Sequence, residues 1–483
     1  MIDNLRRKLK IHKSLNLFVR AGSILALGSF LENLFRFFRN MILARLLAPD
    51  AFGLMATVLA SVAVMEAFTE IGLKDSVIQH KQGGEEKFIN IIWWFASIRG
   101  IVLYMIGFFL APLICDFYSK PELLSLIRVG FIAILFNGLI SPKVYVLLKE
   151  MHLKGWVLLM QGSGTLGVII TITIALFYPN TWALVIGYVV EAFLRSFLSF
   201  IFYPIRPSFI IHKPFMNDIM FFSKKMFGLP ILMLLFVQTD IFVIGKVMSM
   251  TDLGFYTLAK NLAEMPNTFL TKFIQPIIFP TLAKIQDDKA KLRISILSLT
   301  KWTMAFGLPF IAFLVIFAVP ILSIVYGSKY IIVAIPFGFL SISNLILLCS
   351  SFFMNTFIAV GQPDIHRNAS FIRTSLFLII IYPATLFGGL SGAACTVLLV
   401  MSVLLIIQIF SAKRLLQIGY LDYFHASLEG IKLSIIVILP GYILNVCNLT
   451  ETLTGFFIGI VLCLISWGYA IVKMVRTYKK ELL

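Results

Sequence analysis

The chain has 483 residues, 59% of them hydrophobic and only 13% charged, with a mean hydropathy of +0.95. Soluble domains sit nearer about 45–50% apolar, so these values exclude an ordinary soluble protein and imply a polytopic membrane protein. The net charge of +18 is scattered through the breaks between apolar segments, which excludes nucleic acid as its partner and points to the bilayer.

The segment Met1 to Ser14 carries Arg6, Arg7, Lys8, Lys10 and Lys13. The apolar stretch behind it is too long and too interrupted for a cleavable signal, so the segment reads as a basic tail before a retained first helix. From there, apolar runs broken by turn residues and charge clusters predict fourteen transmembrane helices, at 15–38, 51–73, 88–114, 123–146, 155–178, 181–203, 220–246, 253–280, 294–325, 331–359, 366–387, 390–412, 427–447 and 453–474. A bilayer core asks for about 20 residues of helix, which these runs supply. The expected fold class is therefore an all-α polytopic membrane protein.

The loops test this count, because Lys and Arg should collect on alternate sides. One set of connections holds Lys74, Lys81 and Lys87, then Lys143, Lys149 and Lys154, Arg206 and Lys213, Lys284 to Arg293, Arg367, and Lys413 with Arg414. Both basic tails fall with this set. The other set has only Arg45, Lys120, Lys246 and Lys329. Both termini are thus expected on the cytoplasmic side of a bacterial inner membrane. All six histidines lie in or beside the same cytoplasmic segments, which argues against an embedded His-based site. Cys115, Cys349, Cys395, Cys447 and Cys463 form no CxxC pair and read as packed thiols.

The chain also repeats itself. An offset of about 201 places Gly53 on Gly254 and Arg45 on Lys246, and one of about 208 places Pro112 on Pro320 and Tyr118 on Tyr326. Internal repeats of this kind are the architecture of secondary transporters. The expected organisation is an N-lobe at 1–203, a cytoplasmic connector at 204–219, a C-lobe at 220–412, and a final helix pair with a basic tail at 413–483. Each lobe has six helices around a central cavity.

Ionisable residues inside spans cost several kcal/mol unless they face a cavity or a partner, so each is a functional candidate. Glu32, Arg36 and Arg39 share one face of the first helix, and Glu66 and Glu70 stand one turn apart in the second. Arg99 sits near the middle of the third. Asp240 lies in the seventh, and Lys260, Glu264, Asn267 and Thr271 form a stripe along the eighth, with Lys272 beside it. A structural reading of Glu32 with Arg36, and of Lys260 with Glu264, as i, i+4 ion pairs stands beside the functional one. Arg128, Arg195, Lys224, Lys225, Lys301, Arg373 and Lys432 are placed nearer helix ends, where snorkelling accounts for them. Trp93 and Trp94 read as interface anchors. Pro230, Pro266, Pro276 and Pro280 read as kinks in the seventh and eighth helices.

The run Ala44-Arg45-Leu46-Leu47-Ala48-Pro49-Asp50-Ala51-Phe52-Gly53-Leu54 resembles bacterial polysaccharide-biosynthesis flippases of the Wzx type, within the multidrug/oligosaccharidyl-lipid/polysaccharide exporter superfamily. Its echo Thr251 to Ala259, and Ala359-Val360-Gly361-Gln362-Pro363, are similar to the same family. The resemblance implies a flippase that moves an undecaprenyl-diphosphate-linked oligosaccharide from the inner to the outer leaflet by alternating access, the colanic-acid type being the nearest subgroup. It implies the polymerase and chain-length machinery of polysaccharide assembly as partners, and no cofactor, with room for coupling to an H+ or Na+ gradient.

Placement then assigns Arg36, Arg39, Arg99, Lys260 and Lys272 to attraction of the diphosphate, since guanidinium forks suit phosphate oxygens. Glu66, Glu70, Asp240 and Glu264 become candidates for coupling or gating. The alternatives are a cation-coupled drug exporter, which should favour acidic over basic cavity residues, and a peptidoglycan lipid-precursor flippase. A membrane glycan polymerase or sugar transferase is disfavoured by the short loops.

Overall fold

In hydrocarbon a free backbone group finds no water, so apolar runs of this length close their hydrogen bonds as helices. Every regular element among the described residues is helical. The structure is a computed structural model that describes residues 2–67, 72–209, 212–226, 229–446, 458–465, 467–468 and 472. Its first elements are α1 (Ile2–Leu46), α2 (Pro49–Ala67), α3 (Leu73–Gln79), α4 (Glu86–Tyr118), α5 (Leu123–Gly130), α6 (Ile132–Gly138), α7 (Lys143–Lys149), α8 (Leu153–Phe177), α9 (Thr181–Phe202), α10 (Lys213–Met226) and α11 (Leu229–Val247). There follow α12 (Met250–Ala283), α13 (Lys289–Ile316), α14 (Ala318–Val325), α15 (Ala334–Ala359), α16 (Pro363–Leu416) and α17 (Tyr420–Val446).

Among the described residues, seven helices are long and apolar enough to cross a membrane, or eight if one bent pair is a single span. Helical residues occur within each of the fourteen expected segments, the last described only in part. The fourth expected span is not straight. Leu123–Gly138 and Lys143–Lys149 meet at 62°, because Gly138 and Pro142 end one helix and open the next. The seventh is described as α10 and α11, on either side of residues 227–228, which lie outside the described residues. By contrast, α12 runs unbroken through Pro266, Pro276 and Pro280.

A 54-residue helix would measure about 80 Å, far beyond a bilayer, and α16 avoids this at Gly389, whose φ of 55° and ψ of −143° no other residue adopts easily. A Cβ on Gly392 would lie 2.0 Å from the carbonyl oxygen of Ala384. In a straight helix those residues are about 12 Å apart. The chain therefore doubles back there, where the sequence places the turn between the eleventh and twelfth spans.

By compactness the chain divides into two units, residues 1–254 and 255–483. Within the first, the repeat meets itself. A Cβ on Gly53 would lie 1.9 Å from the carbonyl oxygen of Met250, and one on Gly254 would lie 1.7 Å from that of Pro49. Pro49 and Met250 are themselves related by the 201-residue offset, so each copy of the motif receives at its glycine what it supplies at its carbonyl. Such reciprocity marks a local two-fold.

The two copies also share internal contacts. In the first unit Asn137 Nδ2 donates to Glu66 Oε1 at 3.4 Å, and in the second Asn267 Nδ2 donates to Asn344 Oδ1 at 3.3 Å. Glu66 and Asn267 are repeat equivalents.

Gly53→Ala and Gly254→Ala should each destabilise the protein by at least about 1–3 kcal/mol, since the obstruction is backbone and cannot swing away. Gly162→Ala in α8, with nothing within 4 Å of its Cβ, should be neutral or stabilising by up to about 1 kcal/mol. Thermal unfolding in detergent, followed by loss of the monodisperse peak, separates the two cases.

Candidate functional site

The apolar helices of the first unit carry a set of charges that meet. Arg36 of α1 donates through Nε to Glu32 Oε1 at 3.1 Å, one turn earlier on the same face, and through Nη2 to Glu191 Oε1 of α9 at 2.6 Å. Arg195, one turn along α9, donates to that same Glu191 oxygen at 2.8 Å. The side chain of Glu191 is only 9% exposed, while Arg36 keeps 31% and Arg195 24%.

These charges can approach because α8, which packs on both α1 and α9, presents no side chain at the junction. A Cβ on Gly164 would stand 3.1 Å from Glu32 Oε1, 3.4 Å from Arg36 Nη2 and 3.6 Å from Glu191 Oε1, and one on Gly167 would lie 2.7 Å from the Cβ of Glu191. Small residues at helix contacts are how membrane helices come close enough for polar groups to bond.

A second group adjoins it. Arg99 of α4 donates through Nη2 to the backbone carbonyl of Glu66 in α2 at 3.2 Å, and Asn137 of α6 bonds the Glu66 carboxylate. Tyr188 of α9 stands in the field of Glu66, Arg195, Glu191 and Arg36 together, which joins the two groups into one polar region. Arg39 donates through Nε and Nη2 to Asn40 Oδ1 at 3.2 and 3.1 Å and lies in the field of Arg36 and Glu191.

The sequence reading needs correction here. Arg195 does not simply snorkel to an interface, because Glu191 holds it. Glu191 is absent from the candidates the sequence suggests, and with it the region holds Arg36, Arg39, Arg99 and Arg195 beside Glu32, Glu66 and Glu191. Among the described residues these are four cations and three carboxylates, a formal balance of +1, far less positive than a tally of arginines implies. The signal was present: a carboxylate in mid-span of an otherwise apolar helix, one turn before an arginine.

Asp240 is buried in α11 at 1% exposure, and its Oδ1 accepts from the N–H of Ile241 at 2.9 Å. In the second unit Lys260 and Glu264 of α12 are half-buried and Lys272 is exposed. The stripe they head is bonded along its length, with Thr268 donating to the Glu264 carbonyl at 3.0 Å and Thr271 to that of Asn267. Glu70 lies outside the described residues. Both anchor tryptophans bond backbone, Trp93 Nε1 to Leu139 at 3.2 Å and Trp94 Nε1 to Ser208 at 3.1 Å. Trp94 thereby ties the connector after α9 to α4. Cys115, Cys349, Cys395 and Cys463 are free thiols.

A helical chain of apolar spans, with ion-paired charges inside them and two copies of one motif, is that of a polytopic membrane transporter. Its fold is that of the lipid II flippase MurJ in an inward closed conformation, with a TM-score of 0.77 at 15% identity over 94% of this chain and 99% of that one. An inward-facing multidrug resistance transporter of the MATE family superposes with a TM-score of 0.61 at 13% identity, over 80% of this chain and 94% of that one. Residues 42–335 match the polysaccharide biosynthesis protein family, and since this is more than half of the sequence, the chain belongs to that family. It is 24% identical to the lipopolysaccharide biosynthesis protein WzxC of Escherichia coli (strain K12) over 84% of this chain and 83% of that protein. It is also 24% identical to the succinoglycan biosynthesis transport protein ExoT of Rhizobium meliloti (strain 1021), over 66% and 65%, and 22% identical to the teichuronic acid biosynthesis protein TuaB of Bacillus subtilis (strain 168), over 72% and 71%.

Removing Glu191 leaves two guanidiniums facing apolar helices without their shared acceptor. Glu191→Ala should lower stability by about 3 kcal/mol, the low end for breaking a buried ion pair. In a double-mutant cycle with Arg36→Gln the losses should fail to add by about 1–3 kcal/mol.

Proposed function

We propose that this protein is a flippase carrying a polyprenyl-diphosphate-linked oligosaccharide repeat unit from the inner to the outer leaflet of the bacterial cytoplasmic membrane by alternating access. Such a molecule joins a hydrated glycan to a diphosphate of about two negative charges, and neither part crosses bare hydrocarbon unaided. What carries the reading is a set of guanidiniums, Arg36, Arg39 and Arg99, held inside apolar helices of a chain from the polysaccharide biosynthesis family. Relatives named for the biosynthesis of lipopolysaccharide, succinoglycan and teichuronic acid support the substrate class.

Within this reading Arg36, Arg39 and Arg99 attract the diphosphate from one half of the sequence, Lys260 and Lys272 from the other. Glu66, Glu70, Asp240 and Glu264 gate the path or take up a coupling cation. The working halves are residues 1–203 and 220–412, joined by 204–219 and followed by a helix pair at 413–483. The basic loops and both termini face the cytoplasm, and the glycan is handed to polymerase and chain-length machinery outside. No covalent chemistry on the glycan is required of any residue. The near balance of charge among the described residues of that embedded region removes part of the case against a drug exporter, so the test includes one.

In proteoliposomes the native chain should move a polyprenyl-diphosphate oligosaccharide and leave cationic drugs untouched. Arg99→Gln and Arg36→Gln, each checked for folding, should transport more slowly by roughly tenfold or more, the worth of a charged hydrogen bond of about 1.5–3 kcal/mol. Full activity in both variants would make these arginines structural. Export of drugs without movement of lipid would replace the flippase by the exporter.

A further inference from the structure

Glu191 stands at the centre of the first unit's charges, yet the head-group reading gives it no part. Its Oε1 accepts from Arg36 at 2.6 Å and from Arg195 at 2.8 Å, and Glu32 takes the Nε of Arg36 at 3.1 Å. The formal charges of these four groups cancel. An arriving anion therefore meets guanidiniums that already hold carboxylates.

Those guanidiniums are not sealed off, for Arg36 and Arg195 keep 31% and 24% of their side chains exposed. Arg195 also buries its Nε with no acceptor, so one donor of its fork is unused. Carboxylate and phosphate oxygens bind the same N–H fork, so a diphosphate can take the place of a carboxylate on it. Glu191, at 9% exposure and braced against Gly164 and Gly167 of α8, cannot follow its arginines far.

We propose that Glu191 is an internal competitor for the diphosphate. With no lipid bound it holds Arg36 and Arg195 in position, and on binding it yields one or both to the phosphate oxygens. This rests on the flippase reading above and adds a reason for release. A transporter gains nothing from a site that grips its ligand in every state, and a carboxylate waiting to retake the arginines keeps the diphosphate exchangeable. Glu191 is then a positioning residue, which sets affinity against turnover without itself bonding the lipid.

The test measures binding of undecaprenyl diphosphate in detergent micelles to the full chain, with undecaprenol as the uncharged control, alongside transport kinetics. Glu191→Gln, which keeps the shape and removes the charge, should bind the diphosphate about tenfold tighter, with KM and maximal rate falling together. Glu32→Gln should shift both the same way by less. If Glu191 were scaffolding alone, the folded Gln variant would bind more weakly or unchanged. That result, with native preference for the diphosphate intact, overturns the competitor and leaves the flippase reading standing. Should Glu191→Gln fail to fold, unchanged or weaker binding by Glu32→Gln overturns it equally. A native chain that does not prefer the diphosphate to the alcohol removes the head-group site and the competitor with it.

Discussion

Everything in the first unit is arranged around the cost of charge in hydrocarbon. An isolated guanidinium in mid-bilayer is several kcal/mol uphill, and an isolated carboxylate is no better. Arg36, Arg195, Glu32 and Glu191 are tolerable only because each is within hydrogen-bond reach of an opposite. That requirement fixes the distance between α1 and α9, which in turn requires glycine at 164 and 167 of α8. Helix packing here follows from electrostatics, since the surrounding lipid is as apolar as any leucine and gives helices little reason to associate.

The same constraint explains why the site holds both signs. A cluster of bare cations would attract a diphosphate strongly but would also repel itself apart in the empty protein. Distributing three carboxylates among four cations, as the described residues do, lets the empty state persist, and in the reading proposed above anion binding becomes an exchange of partners. Arg99 also meets a backbone group, the carbonyl of Glu66.

Much of the fold is written in local sequence. Apolar run lengths, loop charges and the glycine and proline breaks place the helices, because a membrane span must satisfy its backbone by itself. The bends were harder. Nothing in 123–146 but Gly138 and Pro142 announces the 62° turn. The charged site was half legible. Arg36 and Arg99 stand out as embedded cations, and Glu32 lies one turn from its partner. The bond that unites the region joins residues 155 apart, and a single sequence carries no signal for which faces of α1 and α9 meet. Glu191 has an i, i+4 partner in Arg195 that the sequence shows, but its oxygen also serves α1 through Arg36, which the sequence does not show.

The glycine joint between α2 and the start of α12 has a further consequence for how such a chain can change. A side chain at 53 would run into the carbonyl of Met250, and one at 254 into that of Pro49, the same position in the other copy. Two positions 201 residues apart thus behave as one. A duplicated gene ordinarily frees its halves to drift, but here neither half can enlarge this residue, whatever the other does, without moving the backbone of its twin. The motif that the two halves still share most visibly is the place where they touch, and contact of this reciprocal kind is a physical reason for the likeness to persist.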